Sequence, residues 1–328
     1  MKNNSLSSDV SKIIQPQCAP LSTVGTDRKR AIEPEKKSFA KQNKKSKSHH
    51  SSTTTTTAPM LDFESILVTL YELKEDKRFI EVMAAKELRQ AKNVLVITGA
   101  GISADSGLPT YRGIGGLYSN GQETEEGLTI EEALSSYIMR TEPDISWKYI
   151  CQIESACRSA KQNAAHEALV ALESKFEHLT VVTQNVDGLH RSAGTNDLIE
   201  IHGNIHQLFC ISCDREKYVD DFDGMKIPPT CNRCGGLIRP RIVLFGEMLP
   251  TSALTQLSEI VNQGIDAIIT IGTSSIFPYI AQPVLRAAEN NILTIEINPN
   301  DTQVSHVVRY HLRERAIIAL PALLKHLS

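Results

Sequence analysis

Residues 93–107 read NVLVITGAGISADSG, and the fold turns on this stretch. Its first six residues form a near-continuous Val/Ile/Leu run, the pattern of a strand covered on both faces. The continuation is a glycine-rich turn, in which backbone N–H groups and a following helix N-terminus are placed to receive a phosphate. The dinucleotide fingerprint is partial: after Gly99 and Gly101, the third glycine position is the small residue Ala104. Such a turn also occurs with no ligand, so it needs company. The next segment, LPTYRGIGGLY (108–118), is a Gly/Pro loop where a plain dinucleotide fold would continue as helix. A long loop at the carboxyl end of a strand suits a cover over a ligand.

Working outward, further strand-like runs lie at 178–183, 197–201, 240–244, 266–271 and 292–297, with helical spacing at 145–158, 163–175, 251–263, 279–290 and 316–327. Apolar strands alternating with helices predict an α/β fold, a Rossmann-like doubly wound parallel sheet. Three more loops leave strands with polar residues: 183–190 (TQNVDGLH), 272–275 (GTSS) and 298–300 (NPN). In open α/β sheets ligands bind at the carboxyl ends of strands, so these loops are expected to share one crevice with the glycine turn. His202-Gly203 ends another strand at the same edge. A lone His is most often structural, but this position also suits a general base.

Cys210, Cys213, Cys231 and Cys234 form C-x₂-C-x₁₇-C-x₂-C, spaced for a tetrahedral Zn²⁺. Four thiolates close the coordination sphere, so the metal is expected to be structural rather than catalytic. The insert, about 206–239, is too short to bury a core unaided. Cys151 and Cys157 fall in a helical stretch and read as buried thiols; Cys18 lies near the N-terminus.

The chain has 328 residues, 41% of them hydrophobic and 22% charged, ordinary values for a globular protein. No apolar stretch approaches the roughly 20 residues of a membrane helix, and no charged-then-apolar signal opens the sequence. The expectation is an intracellular protein. Residues 1–60 hold 11 Lys or Arg against four Asp or Glu, so the net charge of −3 divides into +7 there and −10 in the remaining 268 residues. An acidic body is a poor nonspecific partner for nucleic acid. Residues 1–58, rich in Ser, Thr and Lys, read as a disordered basic tail, and 59–328 as the catalytic domain. Arg28-Lys29-Arg30 and Lys44-Lys45-Ser46-Lys47 fit a solubilising tail, an arm for an anionic partner, or a nuclear-import address in an otherwise cytoplasmic protein.

Taken together, GAGISADSGLPTYRG (99–113), NAAH (163–166), TQNVDGLH (183–190), HG (202–203), the four cysteines, FGE (245–247), GTS (272–274) and IEIN (295–298) resemble the sirtuin family of NAD-dependent protein deacylases. The likeness runs from about residue 90 to 328, with the motifs in family order. It implies a reaction that removes an acyl group from lysine while consuming NAD as co-substrate. The acyl oxygen attacks C1′ of the nicotinamide ribose, nicotinamide leaves, and a ribose hydroxyl then attacks the resulting imidate carbon. By the resemblance His202 is the base for that hydroxyl. Asn185 and Asp187 position the nicotinamide ribose, a water and the carboxamide, while Gln184 contacts ribose. Gly99, Ala100, Gly101, Ser103, Tyr111 and Arg112 match the turn around the diphosphate. Gly272, Thr273, Ser274, Asn298 and Ala316 match the adenosine half. Val243, Phe245, Gly246 and Glu247 match the strand that pairs with the substrate peptide.

Two departures stand out: Thr110-Tyr111 where many members carry Asp-Phe, and the loosely typical stretch Ser275-Ile276-Phe277-Pro278-Tyr279. Members that prefer succinyl or malonyl groups carry Tyr-x-x-Arg in the helix before the NAAH motif. Here the corresponding helix offers Tyr149 and the neutral Gln152, with Tyr137 and Arg140 well upstream. The resemblance therefore implies an acetyl-lysine protein substrate. Mono-ADP-ribosyl transfer from the same site, another deacylation, and a catalytically silent binding module are the alternatives.

Overall fold

A computed structural model describes residues 77–110 and 124–328, which fall within one compact unit. The basic segment 1–58, Tyr111 and Arg112 lie outside the described residues. In chain order the elements begin with helix α1 (Lys77–Leu88) and strand β1 (Asn93–Thr98), then two 3₁₀ turns, Ala100–Ile102 and Ala104–Ser106. Helices α2 (Ile130–Ala133), α3 (Ser136–Thr141), α4 (Pro143–Ser159) and α5 (Ala164–Glu173) lead to β2 (His178–Thr183). Next come α6 (Leu189–Ala193), β3 (Leu198–Glu200), β4 (Gly203–Cys210), β5 (Glu216–Tyr218) and β6 (Ile238–Ile242). The chain closes with α7 (Thr251–Gln263), β7 (Ala267–Ile271), α8 (Pro278–Glu289), β8 (Leu293–Ile297), β9 (Tyr310–Leu312) and α9 (Ala316–Leu327).

Six strands form one parallel sheet in the order β3-β2-β1-β7-β8-β9. The period-2 geometry of β1 splits its apolar run between two cores. Val94 and Val96 pack with α1, α5 and α9, while Leu95 and Ile97 pack with α7 and α8. The chain direction across the sheet reverses between β1 and β7, which places the crevice for a ligand at their carboxyl ends.

The run at 240–244 was expected to join the parallel sheet. Instead β6 pairs antiparallel with β4 in a separate three-stranded sheet, β5-β4-β6. Its sequence, Ile-Arg-Pro-Arg-Ile, alternates and contains Pro240, which suits a short sheet beside the cysteines rather than a buried central strand. That sheet packs with α2 and α4 around Trp147, Ile150, Ile205, Leu208 and Phe222. Trp147 and Phe222 rings lie 5.4 Å apart, and Trp147 Nε1 donates to the Ile238 carbonyl at 3.2 Å.

Gly203, at the start of β4, has φ +83°, and a Cβ there would lie 1.8 Å from the Arg241 carbonyl oxygen. The residue after His202 must therefore be glycine for the two sheets to join here.

Candidate active site

The turn after β1 is held against the turn after β7 by backbone alone. Gly101 N donates to Gly272 O at 2.9 Å, and a Cβ on Gly101 would fall 2.6 Å from Gly272 Cα. Gly99, Ala100 and Gly101 were expected to allow close approach of a phosphate. The structure adds that Gly101 and Gly272 first allow close approach to one another.

The other loops are sewn to this junction. Gln184 Nε2 donates to Thr273 Oγ1 at 2.9 Å and to Thr98 O at 3.2 Å; Asn298 Nδ2 donates to Thr273 O at 3.1 Å. The four loops thus share one sheet edge, as the sequence predicts. Beneath them Thr98 Oγ1 donates to Thr183 Oγ1 at 2.9 Å, and Thr183 Oγ1 accepts the Asn185 N–H at 3.1 Å. His190 Nε2 lies 2.9 Å from Thr98 Oγ1; since that hydroxyl's proton points at Thr183, Nε2–H donates. Thr98, Thr183 and His190 were not singled out from sequence, although Thr183 and His190 bracket the TQNVDGLH motif.

A polar cluster of Ser103, Asn185 and Asp187 lines a cavity together with Ala100, Leu108, Pro109, Ile153, Ala156, Cys157 and Val186. Ser103 Oγ donates to Asp187 Oδ2 at 2.8 Å, and Asn185 Nδ2 donates to Ser103 Oγ and Gly99 O, both at 3.2 Å. Asp187 Oδ1 accepts the Leu189 N–H at 2.9 Å. Burial raises the Asp187 pKa, with the Leu189 N–H and Ser103 hydroxyl pulling the other way. Burial likewise pushes the Cys157 thiol up to about 12, so it stays protonated. Apolar walls with a carboxylate and an amide gathered in one cluster fit a flat ring bearing a carboxamide.

His202 Nδ1 lies 2.8 Å from the Gln184 carbonyl and Nε2 lies 2.7 Å from Tyr279 Oη. Burial drives its pKa down to about 4 against the raising effect of the Gln184 carbonyl. A pKa near neutrality was wanted for a base; the buried ring is instead fully neutral at pH 7, open to a proton but less basic.

NAAH turns out to be a capping box. The Asn163 side chain accepts from Ala165 N, and His166 Nδ1 accepts from Asn163 N. Asn163 Nδ2 also donates to Ile102 O and Ser106 Oγ, both at 2.9 Å, tying α5 to the glycine turn. Burial lowers His166 to about 4 and His190 to about 3. With His202 that makes three histidines neutral in the fold but protonated when unfolded below ~6.5. The unfolded state therefore binds more protons, so their contribution is present above ~6.5 and is lost as pH falls toward the folded values. Urea midpoints measured at pH 7, 6 and 5 are expected to fall progressively, and replacing His166 by Gln to flatten that fall.

The segment of Val243, Phe245, Gly246 and Glu247, expected to pair with a substrate peptide, follows the end of β6 at Ile242 as a turn in the chain alone. Val243 N donates to His202 O at 2.9 Å, Phe245 bridges Ser135, and Gly246 has φ +80°. The Glu247 carboxylate accepts from Arg239 at 2.8 Å and from Leu244 N at 3.0 Å, so it holds its own turn. Ala316, expected beside adenine, buries its methyl in the core at the start of α9. That helix start is tied to the glycine turn by Arg315 and Asp105 at 2.6 Å. Ser274, next to Thr273, stays at the loop edge and is half-buried.

On α4 the Tyr149 hydroxyl donates to Glu126 at 2.5 Å and Gln152 is exposed; Ile153, Ala156 and Cys157 are the residues of this helix that line the cavity. Tyr137 and Arg140 lie on α3, where Tyr137 is 66% exposed.

The four cysteine sulfurs all lie within 4.8 Å of one another, with Cys210–Cys234 at 3.5 Å and Cys213–Cys231 at 3.8 Å. Zn–S bonds of about 2.3 Å set a tetrahedral S···S edge of about 3.8 Å, so the donor set fits Zn²⁺. Gly236 has room for no side chain, since a Cβ would meet Ser212 Oγ at 2.5 Å.

The pattern of the Sir2 family matches residues 99–278. NAD-dependent protein deacylase 2 of Pseudomonas aeruginosa is 46% identical over 246 residues, covering 74% of this chain and 95% of that protein. Its namesake in Pseudomonas syringae pv. tomato is 48% identical over 249 residues, 75% of this chain and all of that one. Among solved structures, a Sir2 homologue–NAD complex aligns with TM-score 0.67 and 32% identity over 74% of this chain and 92% of that chain. A Sir2–p53 peptide–NAD⁺ complex aligns with TM-score 0.63 and 27% identity over 73% and 95%.

Proposed function

The chain belongs to the Sir2 family, and we infer that this NAD-dependent protein deacylase acts as a lysine deacetylase on protein substrates. The observation that carries the reading is the Ser103–Asn185–Asp187 cluster at the carboxyl ends of β1 and β2, next to Gln184, whose carbonyl holds His202. NAD supplies an electrophilic ribose carbon and a nicotinamide leaving group. Ser103, Asn185 and Asp187 would hold its carboxamide end, with the walls at Leu108, Ile153 and Val186 excluding water. Gly99, Ala100 and Gly101 would meet the diphosphate; Gln184, Gly272, Thr273, Ser274 and Asn298 would meet the ribose and adenosine parts. Tyr111 and Arg112 are proposed to complete that turn.

His202, fixed by Gln184 through Nδ1–H, accepts a proton at Nε2. Zn²⁺ on Cys210, Cys213, Cys231 and Cys234 would be structural, since four thiolates leave no position for a reacting group. A peptide substrate of the kind in the p53 complex is proposed to lie along the 243–247 turn. The basic segment 1–58 is proposed as an arm for an anionic partner, and the protein as intracellular.

Acyl choice follows from the helix before the capping box. Recognition of a succinyl carboxylate wants a guanidinium in bidentate contact, and on α4 Tyr149 is followed three places later by the neutral, exposed Gln152. The kcat/KM for acetyl-lysine peptide is expected to exceed that for succinyl-lysine by about tenfold or more, about 1.4 kcal/mol in transition-state stabilisation. A succinyl preference would bring Tyr137 and Arg140 back as ligands for the acyl group.

A further inference from the structure

We propose that the phenol of Tyr279 carries the proton from the substrate ribose hydroxyl to His202, an inference that rests on the deacylase reading above. The Gln184 carbonyl can only accept, so His202 Nδ1 bears the proton of the neutral ring and Nε2 bears the lone pair. That lone pair is already engaged: Tyr279 Oη lies 2.7 Å from it and donates. The one basic atom of the ring is therefore reached through the phenol, or only after the phenol has left.

The packing holds Tyr279 in place. It sits in the first turn of α8, its ring stacked on Phe277 with centroids 5.3 Å apart and planes at 11°. The His202 ring stands edge-on to both, at 6.2 Å and 90° to Phe277 and 6.0 Å and 79° to Tyr279. Swinging the phenol aside would break this three-ring arrangement. Left in place, it can donate to Nε2 and accept from an incoming hydroxyl at once. The step then balances: the ribose O–H proton moves to Tyr279 Oη, the phenol's own proton moves to His202 Nε2, the ribose oxygen bonds to the imidate carbon, and the C=N π pair of the imidate moves onto its nitrogen. Tyr279 ends neutral and His202 as imidazolium.

Among the described residues, the groups that bear on His202 are the Gln184 carbonyl just after β2, the Phe277 ring just before α8 and the Tyr279 ring in its first turn. Burial and that carbonyl are what move its pKa. A donated phenol hydrogen bond favours the neutral ring further.

Tyr279→Phe keeps the stacked ring and removes only the hydroxyl. In the protein alone, ¹⁵N NMR is expected to show the Nε2 signal displaced and the His202 pKa raised by about half a unit or more. With NAD and an acetyl-lysine peptide, kcat is expected to fall about tenfold or more with both KM values within about threefold. Exchange of labelled nicotinamide into NAD reads the stage before the ribose hydroxyl acts, and is expected to stay within about threefold of wild type. The proton inventory in H₂O/D₂O mixtures should change from curved to linear, as two moving protons become one. A variant with kcat undiminished, or with exchange and kcat lost in equal measure, overturns the relay alone while the wild type remains active. A wild-type protein that neither exchanges nicotinamide nor removes the acyl group overturns the deacylase reading and the relay together.

Discussion

Replacing His202 by alanine is expected to cut turnover about 10²-fold or more while leaving NAD affinity within about threefold. His202 holds a neutral imidazole next to the loop that carries Asn185 and Asp187, with Nδ1 fixed on Gln184 and Nε2 on Tyr279. Its loss removes the proton acceptor without touching the Ser103–Asn185–Asp187 cluster, which is held by its own hydrogen bonds. The loss should therefore lie in kcat rather than in KM for NAD. Stopped-flow turnover with isothermal titration of NAD separates the two, and a melting curve checks that the variant is folded. Near-wild-type turnover in a folded variant would remove His202 from the chemistry.

Cys210→Ser, or strong chelation, is expected to act on folding first and on activity second. Structural Zn²⁺ sites contribute on the order of 10 kcal/mol to the folding of small zinc modules, and this one closes a sheet of three short strands. Cys210 ends β4, whose other end is Gly203, directly after the base. Opening the cysteine site therefore frees the strand that positions His202, and β6 with it. Melting followed by circular dichroism should fall by about 10 °C or more, with metal content dropping in parallel, and activity should follow the folded fraction. Pure protein that contains no zinc, with its thiols oxidised, would make the four cysteines disulfides instead.

The parts of the fold that could be read from sequence are those with a strong local signature. Strand β1 shows itself as a bare apolar run, and α7 and α9 begin and end where their helical spacing does. The cysteine cluster follows from spacing alone, because two C-x-x-C knuckles have few other uses. By contrast β4 was missed: it mixes His206 and Gln207 with apolar residues in a register interrupted between Asn204 and Leu208. β9, three residues long, is too short for a period to show.

The site was legible at the level of loops but not of contacts. Glu247 looked available to a substrate, yet Arg239, eight residues back on β6, holds its carboxylate. Asn163 and His166 looked like a motif of unknown task, and their work is to cap a helix and brace the glycine turn. Tyr279 carried no signal beyond an unusual stretch after Ser274, because only the packing of α8 brings it to a histidine 77 residues away. Tertiary contacts of that separation leave no periodic trace in a sequence.

The central claim is that this crevice removes acyl groups from lysine at the expense of NAD. Incubating the protein with an acetyl-lysine peptide, with and without NAD, and following both peptide and nucleotide by mass spectrometry tests it most directly. The account predicts loss of the acetyl group only when NAD is present, with one nicotinamide and one acetylated ADP-ribose formed per peptide. Retention of the acetyl group, with ADP-ribose appearing on protein instead, would contradict it.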